Sequence, residues 1–183
     1  MSMKRELNVA NIILNSMSDI SYGFPENGYN IAETDPDRFD NDFYDFYYMQ
    51  TPEELISSRI GVCWEQVELE RYLFEKYNFY NTKSYFILCE NGEDEPSHTF
   101  LTFECGNYFY WIEHSWGTFR GIHEYTCEED LIADVIDKFV EDGEYYGLRV
   151  IVYEYDAPTK THMNCDQMYE YVKTQPVVFD EIV

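Results

Sequence analysis

The stretch SHTFLTFECGNYFYWIE, residues 97–113, contains two strand-like runs separated by a turn. Residues 99–104 and 108–113 are rich in β-branched and aromatic side chains, which favour pleated strands. The Cys-Gly-Asn sequence at 105–107 lies between them and is typical of a β-hairpin turn. We therefore expect two neighbouring antiparallel strands, with an antiparallel sheet at the centre of the fold.

His98 opens the first of these strands and Glu113 ends the second. If Gly106-Asn107 forms a two-residue turn, Phe100 pairs with Glu113, and His98 lies diagonally across from Glu113 on the same face. If Cys105-Gly106 forms the turn, His98 and Glu113 are directly opposite each other. A three-residue loop would separate them. Both two-residue registers thus predict that the imidazole and the carboxylate share one face of the sheet.

Helical patterns precede the hairpin, and mixed elements follow it. Residues 21–45 are rich in Gly, Pro, Asn and Asp, and we predict a long surface loop there. Helices are predicted over 7–17, 51–59, 63–77, 127–141 and 164–174, and further strands over 84–89 and 148–155. This order predicts the α+β fold class, in a single domain spanning residues 1–183.

Cys63 lies at a predicted helix start, directly after Gly61-Val62. Backbone N–H groups and the helix dipole at such a position stabilise a thiolate, and they can also hold the oxyanion of a tetrahedral intermediate. Gly61 has no Cβ, so we expect the chain to approach a substrate closely there. The alternative interpretation of Cys63 is a small buried apolar residue, which is common for a free cysteine.

A cysteine, a histidine and a carboxylate in this arrangement suggest an acyl-transfer triad. Cys63 would be the nucleophile and His98 the base, while Glu113 would fix the tautomer of the imidazole and stabilise the imidazolium. Each residue taken alone also has a structural interpretation, as a buried thiol, a strand-end histidine or a solvated charge. The other histidines are interpreted as ordinary polar residues, with His114 facing away from Glu113: His114, His123 and His162.

The charge of the chain is strongly negative, with 36 acidic against 12 basic residues and a net charge of −24. Nucleic acid and anionic membrane surfaces would repel such a protein, so neither is expected as a direct partner. The plain interpretation of the charge is solubility. The alternative is an acidic face that mimics nucleic acid or attracts a basic protein partner.

The chain has five cysteines, without a C-x-x-C unit or a close pairing pattern. A disulfide framework and a zinc site are therefore not expected, and no other metal or organic cofactor is predicted. The first 17 residues interrupt their apolar positions with asparagines, unlike a signal peptide. No apolar run approaches the ~20 residues needed to span a bilayer. These features predict a soluble, cytoplasmic protein.

Several motifs resemble those of transglutaminase-like proteins, a branch of the papain-like cysteine enzymes. Gly61-Val62-Cys63-Trp64-Glu65-Gln66 resembles the G-x-C segment that begins their nucleophile helix. Residues 97–103 resemble their histidine strand, and 110–116 resemble the W-x-x-x-D-x-x-W type strand that follows. Residues 115–125 are similar to uncharacterised bacterial transglutaminase-like proteins. The resemblance covers residues 51–125.

This resemblance implies a papain-like α+β core, with N-terminal helices packed on an antiparallel sheet. It implies acyl-transfer chemistry on a protein, peptide or other amide substrate, without a cofactor. The triad positions fall on Cys63, His98 and Glu113. Three tryptophans are candidates for the cleft wall, although core packing is the more common role for most of them: Trp64, Trp111 and Trp116.

The chain departs from the family pattern in two places. Glu113 stands where the family usually has Asp, which changes the reach of the carboxylate. No glutamine stands close before Cys63 as in papain, and Gln50 is the candidate for the second oxyanion donor. Residues 63–66 also resemble the C-[FY]-E-x segment of arylamine acetyltransferases, although this chain is too short for their third domain.

Two functions follow from these patterns. The first is a cysteine-dependent hydrolase or acyltransferase that uses the triad. The second is an inactive acidic binding protein, such as an inhibitor or a nucleic-acid mimic, in which only the fold is retained. The alkylation rate of Cys63 near neutral pH discriminates between them, because only the enzyme requires one unusually reactive cysteine.

Overall fold

The computed structural model describes residues 3–90, 92 and 95–183. Within these ranges the chain forms seven α-helices, eight β-strands and one 3₁₀ turn, Gly117–Phe119. The helices are α1 Met3–Ser16, α2 Ile31–Thr34, α3 Pro36–Phe46, α4 Pro52–Ser58, α5 Cys63–Lys76, α6 Glu128–Gly143 and α7 Cys165–Val172. None of the described helices combines the length and apolar character needed to cross a bilayer.

Six of the strands form one antiparallel sheet in the order β6-β5-β4-β3-β7-β8. The other two strands form a small separate hairpin. The strands are β1 Pro25–Glu26, β2 Tyr29–Asn30, β3 Thr82–Glu90, β4 Ser97–Cys105, β5 Tyr108–Glu113, β6 Gly121–Tyr125, β7 Arg149–Tyr155 and β8 Val177–Ile182. The predicted α+β class and the antiparallel sheet are confirmed.

Each face of the six-stranded sheet carries its own apolar core. Helices α1, α5 and α7 cover one face, where Leu101 and Ile112 point. Helix α6 covers the other face, where Phe100 and Trp111 point. This alternation is the period-2 pattern of strands that are buried on both sides. Packing on both faces consequently fixes the register of the central strands.

The hairpin between β4 and β5 adopts the first of the two registers predicted from the sequence. Cys105 pairs with Tyr108 across the Gly106-Asn107 turn, and Leu101 pairs with Ile112. Gly106 has φ of 69°, a left-handed conformation that glycine adopts without steric cost. The same register, extended to the strand ends, sets His98 diagonally across from Glu113 on one face of the sheet.

The predicted long loop over residues 21–45 is wrong. This stretch contains the β1–β2 hairpin and helices α2 and α3. Asp35 is the N-cap of α3 and accepts a hydrogen bond from the Arg38 N–H at 3.3 Å, while Pro36 fills the first helical position. Glycine and asparagine here mark tight turns and caps rather than an extended loop.

Strands β6 and β8 were also absent from the sequence predictions. They form the two edges of the sheet, and neither contains a fully buried residue. An edge strand with little burial lacks the apolar alternation that reveals a strand in a sequence. Pairing with β5 and β7 therefore decides their conformation.

Candidate active site

Cys63 is the first residue of α5, and extended Val62 before it is the N-cap. The Oε2 atom of Glu65 accepts a hydrogen bond from the Val62 N–H at 3.0 Å and closes the first turn. The predicted position of Cys63 at a helix N-terminus is confirmed. Positively polarised N–H groups at this end of the helix favour an anion at the thiol.

Gly61 serves packing rather than the predicted close approach of a substrate. A Cβ at this position would lie 2.7 Å from Cδ1 of Leu55 in helix α4. The Gly61 N–H donates to the Ser21 carbonyl at 3.1 Å, and its own carbonyl accepts from Nε2 of Gln66 at 2.7 Å. These two hydrogen bonds hold the extended backbone before Cys63 through both the N–H and the carbonyl of Gly61.

Gln50, the sequence candidate for the second oxyanion donor, is used elsewhere. Its Nε2 donates to the Ile60 carbonyl at 2.7 Å, and its Oε1 accepts from the Ser58 hydroxyl at 2.7 Å. Both ends of the amide therefore hold the turn between α4 and α5. Gln50 also lines a different cavity from the one that Cys63 lines, so the structure gives no support to its predicted role as an oxyanion donor.

His98 and Glu113 form a buried, hydrogen-bonded pair, with Nε2 of His98 at 2.8 Å from Oε2 of Glu113. The other carboxylate oxygen, Oε1, accepts from the Ser115 hydroxyl at 2.9 Å and from the Trp116 N–H at 2.8 Å. His98 is 8% exposed and Glu113 is 2% exposed. The predicted placement of the two side chains on one face is confirmed, and the carboxylate cannot rotate without losing three hydrogen bonds.

The thiol of Cys63 lies close enough to the His98 imidazole to raise its pKa. Since Nε2 of the ring is taken by Glu113, Nδ1 is the nitrogen available to the sulfur. The three predicted residues thus form one chain of contacts from the helix start to the end of β5. This is the arrangement that a cysteine nucleophile with an oriented base requires.

The electrostatics of the pair favour its charged form. Burial lowers the pKa of His98, but the charge of Glu113 and the hydrogen bonds to Cys63 and Glu113 outweigh it and raise this pKa to about 10. Burial raises the pKa of Glu113, but the His98 charge and the hydrogen bonds outweigh it and lower that pKa. An imidazolium and a carboxylate therefore coexist across the neutral pH range.

Two further carboxyl groups on α5 are buried near this pair. Burial raises the pKa of Glu65 to about 7, against the hydrogen bonds that its charged form accepts. Burial and the charge of Glu113 raise the pKa of Glu70 well above its usual range, although His98 opposes this. The raised pKa of Glu70 favours its neutral form, whereas the pKa of Glu113 is lowered, so Glu113 is the carboxylate that pairs with the imidazole.

Two cavities meet at the triad. Cys63 lines a cavity of about 490 Å³, and His98 lines a cavity of about 310 Å³. Tyr22 and Ser97 line both cavities and form the wall between them. The cleft therefore has a nucleophile side and a base side.

Tyr22 is a site residue that sequence reasoning missed, because it lies in the stretch predicted to be a loop. Its hydroxyl lies close to the sulfur of Cys63, which contributes to the raised pKa of the phenol. Burial is the main cause that raises the pKa of Tyr22 well above its usual range, and the neighbouring Cys63 and Glu65 add to it. The phenol therefore stays protonated and remains a donor, although 46% of the residue is exposed. No local pattern in the sequence connects Tyr22 with Cys63.

The backbone around Tyr22 is held by the buried side chain of Asn30. Its Nδ2 donates to the Tyr22 carbonyl and to the Ser21 hydroxyl, both at 3.0 Å. Gly23 has φ of 147°, and a Cβ there would collide with the Asn30 amide. Tyr22 thus enters the site from a rigid segment.

The tryptophans predicted to wall the cleft divide into two groups. Trp64 lines the cavity on the Cys63 side, and Trp116 lines the cavity on the His98 side. The Trp116 ring packs on the His98 imidazole with a centroid distance of 5.0 Å. Trp111 is fully buried in the α6-side core, which is the core packing that the sequence analysis gave as the more common role.

The other histidines form local polar contacts, as predicted. Nδ1 of His114 lies 2.6 Å from Oε1 of Gln66, and burial together with the charge of Arg120 lowers the pKa of His114 to about 4. Nε2 of His123 donates to the Phe119 carbonyl at 2.7 Å. His162 is exposed and lies 3.0 Å from Glu54. None of these three contacts joins the triad.

No group of three or more His, Cys, Asp or Glu side chains among the described residues is arranged to hold a metal ion. No protein-family model matches the chain, and no curated protein sequence is significantly similar to it. The side-chain geometry of the cleft is therefore the basis for assigning a function.

Proposed function

We propose that the protein is a cysteine-dependent acyl-transfer enzyme of the transglutaminase-like type, built on a papain-like core. Cys63 is the nucleophile, His98 the acid and base, and Glu113 the residue that orients the imidazole. The observation that supports this proposal is the continuous contact from the Cys63 thiol through His98 to Glu113 at a helix start beside a cavity. An amide or peptide is the proposed substrate.

The reaction begins with the Cys63 thiolate and the His98 imidazolium. The sulfur attacks the amide carbonyl carbon, and the resulting oxyanion collapses as the carbon–nitrogen bond breaks. The imidazolium gives its proton to the departing nitrogen, which leaves as a neutral amine. A water molecule or a second amine then attacks the thioester and gives a proton to His98. The carbon–sulfur bond breaks and the thiolate and imidazolium are restored.

The oxyanion needs hydrogen-bond donors near the sulfur. The backbone N–H of Cys63 at the start of α5 is one donor, and we assign the Tyr22 hydroxyl as the second, in place of Gln50. Tyr22→Phe is then expected to lower kcat/KM by about 100-fold. The rate of alkylation of Cys63, which forms no oxyanion, should change far less. If Tyr22→Phe lowers kcat/KM and the alkylation rate of Cys63 by the same factor, Tyr22 is not an oxyanion donor.

The proposal is tested on a panel of fluorogenic peptide amides with the wild-type protein. Cys63→Ala should abolish amine release, whereas Cys127→Ala should leave it unchanged. Cys127 is a suitable control because it is also a free cysteine at a helix start. Release of amine that survives Cys63→Ala would refute the proposed nucleophile.

The net charge of −24 favours a second candidate function, a binding protein for a basic partner. This function requires no reactive cysteine, so Cys63 would then be alkylated no faster than an ordinary thiol. For either function the cytoplasm is the proposed location, where five cysteines outside disulfide bonds remain reduced.

A further inference from the structure

The chemistry of the proposed reaction gives the two cavities different roles. The acyl group stays on the sulfur, and Cys63 lines only the larger cavity. The leaving amine receives its proton from His98, which lines only the smaller cavity. An amide that lies across the wall formed by Tyr22 and Ser97 therefore has its acyl part on the Cys63 side and its amine part on the His98 side.

The cavity on the Cys63 side is predominantly aromatic. Helix α3 contributes Phe39, Phe43 and Tyr44 from one face, at the spacing of neighbouring helical turns. The aromatic residues that line this cavity are Tyr22, Phe39, Phe43, Tyr44, Trp64 and Tyr169. The Tyr169 ring packs edge-on against Trp64 at 5.7 Å and lies 6.5 Å from Tyr44. A planar apolar group fits such a wall through stacked or edge-to-face contacts.

The charges around this cavity are negative. Asp40 and Glu95 line it, and no lysine, arginine or histidine is among the described residues that do so. Lys173 lies 2.8 Å from Glu95 and offsets part of its charge, whereas Asp40 is exposed at the rim. A carboxylate on the substrate would meet uncompensated repulsion, while a neutral or cationic group would not.

We propose, on the basis of the proposed function, that this cavity is the acyl subsite. It accepts an amide whose acyl part carries an aromatic side chain, or another side chain that is neutral or cationic. Acyl groups that carry a carboxylate are excluded. Phe39, Phe43 and Tyr44 of α3 select the aromatic group, and Asp40 selects against negative charge. The smaller cavity beside Trp116 and Asp142 receives the leaving amine.

Alkylation by chloromethyl ketones tests this assignment, because the sulfur bonds to the methylene carbon while chloride leaves. The reagents are the chloromethyl ketones of N-acetyl-phenylalanine and N-acetyl-glutamate, with iodoacetamide as a reference that has no side chain. At Cys63 the phenylalanine reagent should react about 10-fold faster than the glutamate reagent, or more. Equal rates, or faster reaction of the glutamate reagent, would overturn the subsite assignment.

A charge reversal at the rim gives a sharper comparison. Asp40→Lys should narrow the ratio of the phenylalanine rate to the glutamate rate by about fivefold. Asp45→Lys makes the same charge change on α3 at a residue that does not line the cavity, and it should leave the ratio unchanged. If Asp45→Lys narrows the ratio as much as Asp40→Lys, the selection is a general charge effect and the assignment to Asp40 fails.

Binding without reaction separates the subsite from catalysis. In the Cys63→Ala protein, N-acetyl-phenylalaninamide should shift the indole N–H resonance of Trp64 more than that of buried Trp111. N-acetyl-glutamic acid amide should shift neither. This result stands even if wild-type Cys63 reacts slowly with iodoacetamide, which would refute only the proposed function. An unshifted Trp64 resonance would overturn the acyl subsite.

Discussion

Two cysteines lie at the starts of two helices, and their surroundings differ. Cys63 is the first residue of α5 and contacts the His98 imidazole. Cys127 is the N-cap of α6, and the first turn of that helix contains three acidic residues: Glu128, Glu129 and Asp130. Both sulfurs share the favourable end of a helix dipole. A comparison of the two cysteines therefore separates the effect of a helix start on thiol reactivity from the effect of a neighbouring base.

The acidic first turn acts against a thiolate at Cys127. The nearby backbone N–H of Asp130 lowers the pKa of Cys127, but the Asp130 side chain, burial and the charge of Glu129 outweigh it and raise this pKa. A helix N-terminus thus does not by itself produce a reactive cysteine. The imidazole at Cys63, held by a buried carboxylate, is the feature that Cys127 lacks.

Replacing His98 should abolish most of the difference in alkylation rate between Cys63 and Cys127. At pH 6 an ordinary thiol is less than about 1% thiolate, so we expect iodoacetamide to alkylate Cys63 about 100-fold faster than Cys127. His98→Ala should slow Cys63 by about 100-fold, because the thiolate loses its cationic partner. His162→Ala, which removes an exposed histidine, is the control. Peptide mass spectrometry after timed quenching measures each site.

Replacing Glu113 should reduce the difference in alkylation rate between Cys63 and Cys127 without removing it. Glu113→Gln keeps the shape of the side chain but removes the charge that holds the imidazolium. We expect alkylation of Cys63 at pH 7 to fall by about tenfold or more, since the imidazole loses its preferred tautomer and orientation. The rate profile against pH should change at Cys63 and stay the same at Cys127. A parallel change at both cysteines would point to a global effect on the fold.

The His98–Glu113 pair should also make stability depend on pH. The pKa of His98 is raised, so its contribution to the free energy of unfolding is complete below about pH 6.5 and is lost as the pH rises toward 10. The pKa of Glu113 is lowered, so its contribution is present above about pH 4.3 and is lost as the pH falls. The pair therefore contributes most between about pH 4.3 and 6.5.

Glu113→Gln should cost about 3–5 kcal/mol of unfolding free energy at pH 5.5, because it leaves a buried imidazolium without its counter-charge. The deficit should shrink toward pH 9.5, because above about pH 6.5 the histidine of the unfolded chain is neutral and the charged pair of the folded protein contributes less to stability. Urea unfolding at pH 5.5, 7.5 and 9.5 measures this trend. A deficit that stays constant with pH would mean that packing, and not the charge pair, accounts for the loss.

The smallest expected effect lies at Cys127. Asp130→Asn keeps the backbone N–H but removes the carboxylate charge, so alkylation of Cys127 at pH 7.5 should rise by about twofold to fivefold. Asp137→Asn removes an exposed charge further along the same helix and should have little effect. A rise that brings Cys127 to the rate of Cys63 would refute the importance assigned to His98.

Several parts of the fold could be predicted because neighbouring residues determine them. Thr51, Pro52 and Glu54 form the predicted helix start, with the Glu54 N–H donating to Thr51 and the Thr51 N–H donating to Glu54. The parity of residues across Gly106-Asn107 set His98 and Glu113 on one face. These relations hold within a helical turn or across one hairpin, where spacing alone fixes the geometry.

Other parts could not be predicted because distant packing decides them. Helix α3 looked like a loop because its apolar positions are few, yet Phe39 and Phe43 pack against Phe24 from the preceding segment. Strands β6 and β8 take their form from the strands beside them. Their sequences alone do not bury enough apolar surface to reveal them.

The sequence by itself determined the helix start at Cys63, the shared face of His98 and Glu113, and the antiparallel sheet. Only the tertiary structure decided that Gln50 is committed to the Ile60 backbone and that Tyr22 reaches the sulfur. The physical reason is the range of the interactions. Caps and strand parity depend on residues adjacent in the chain or across one turn, whereas contacts between separate segments depend on how the complete core packs around them.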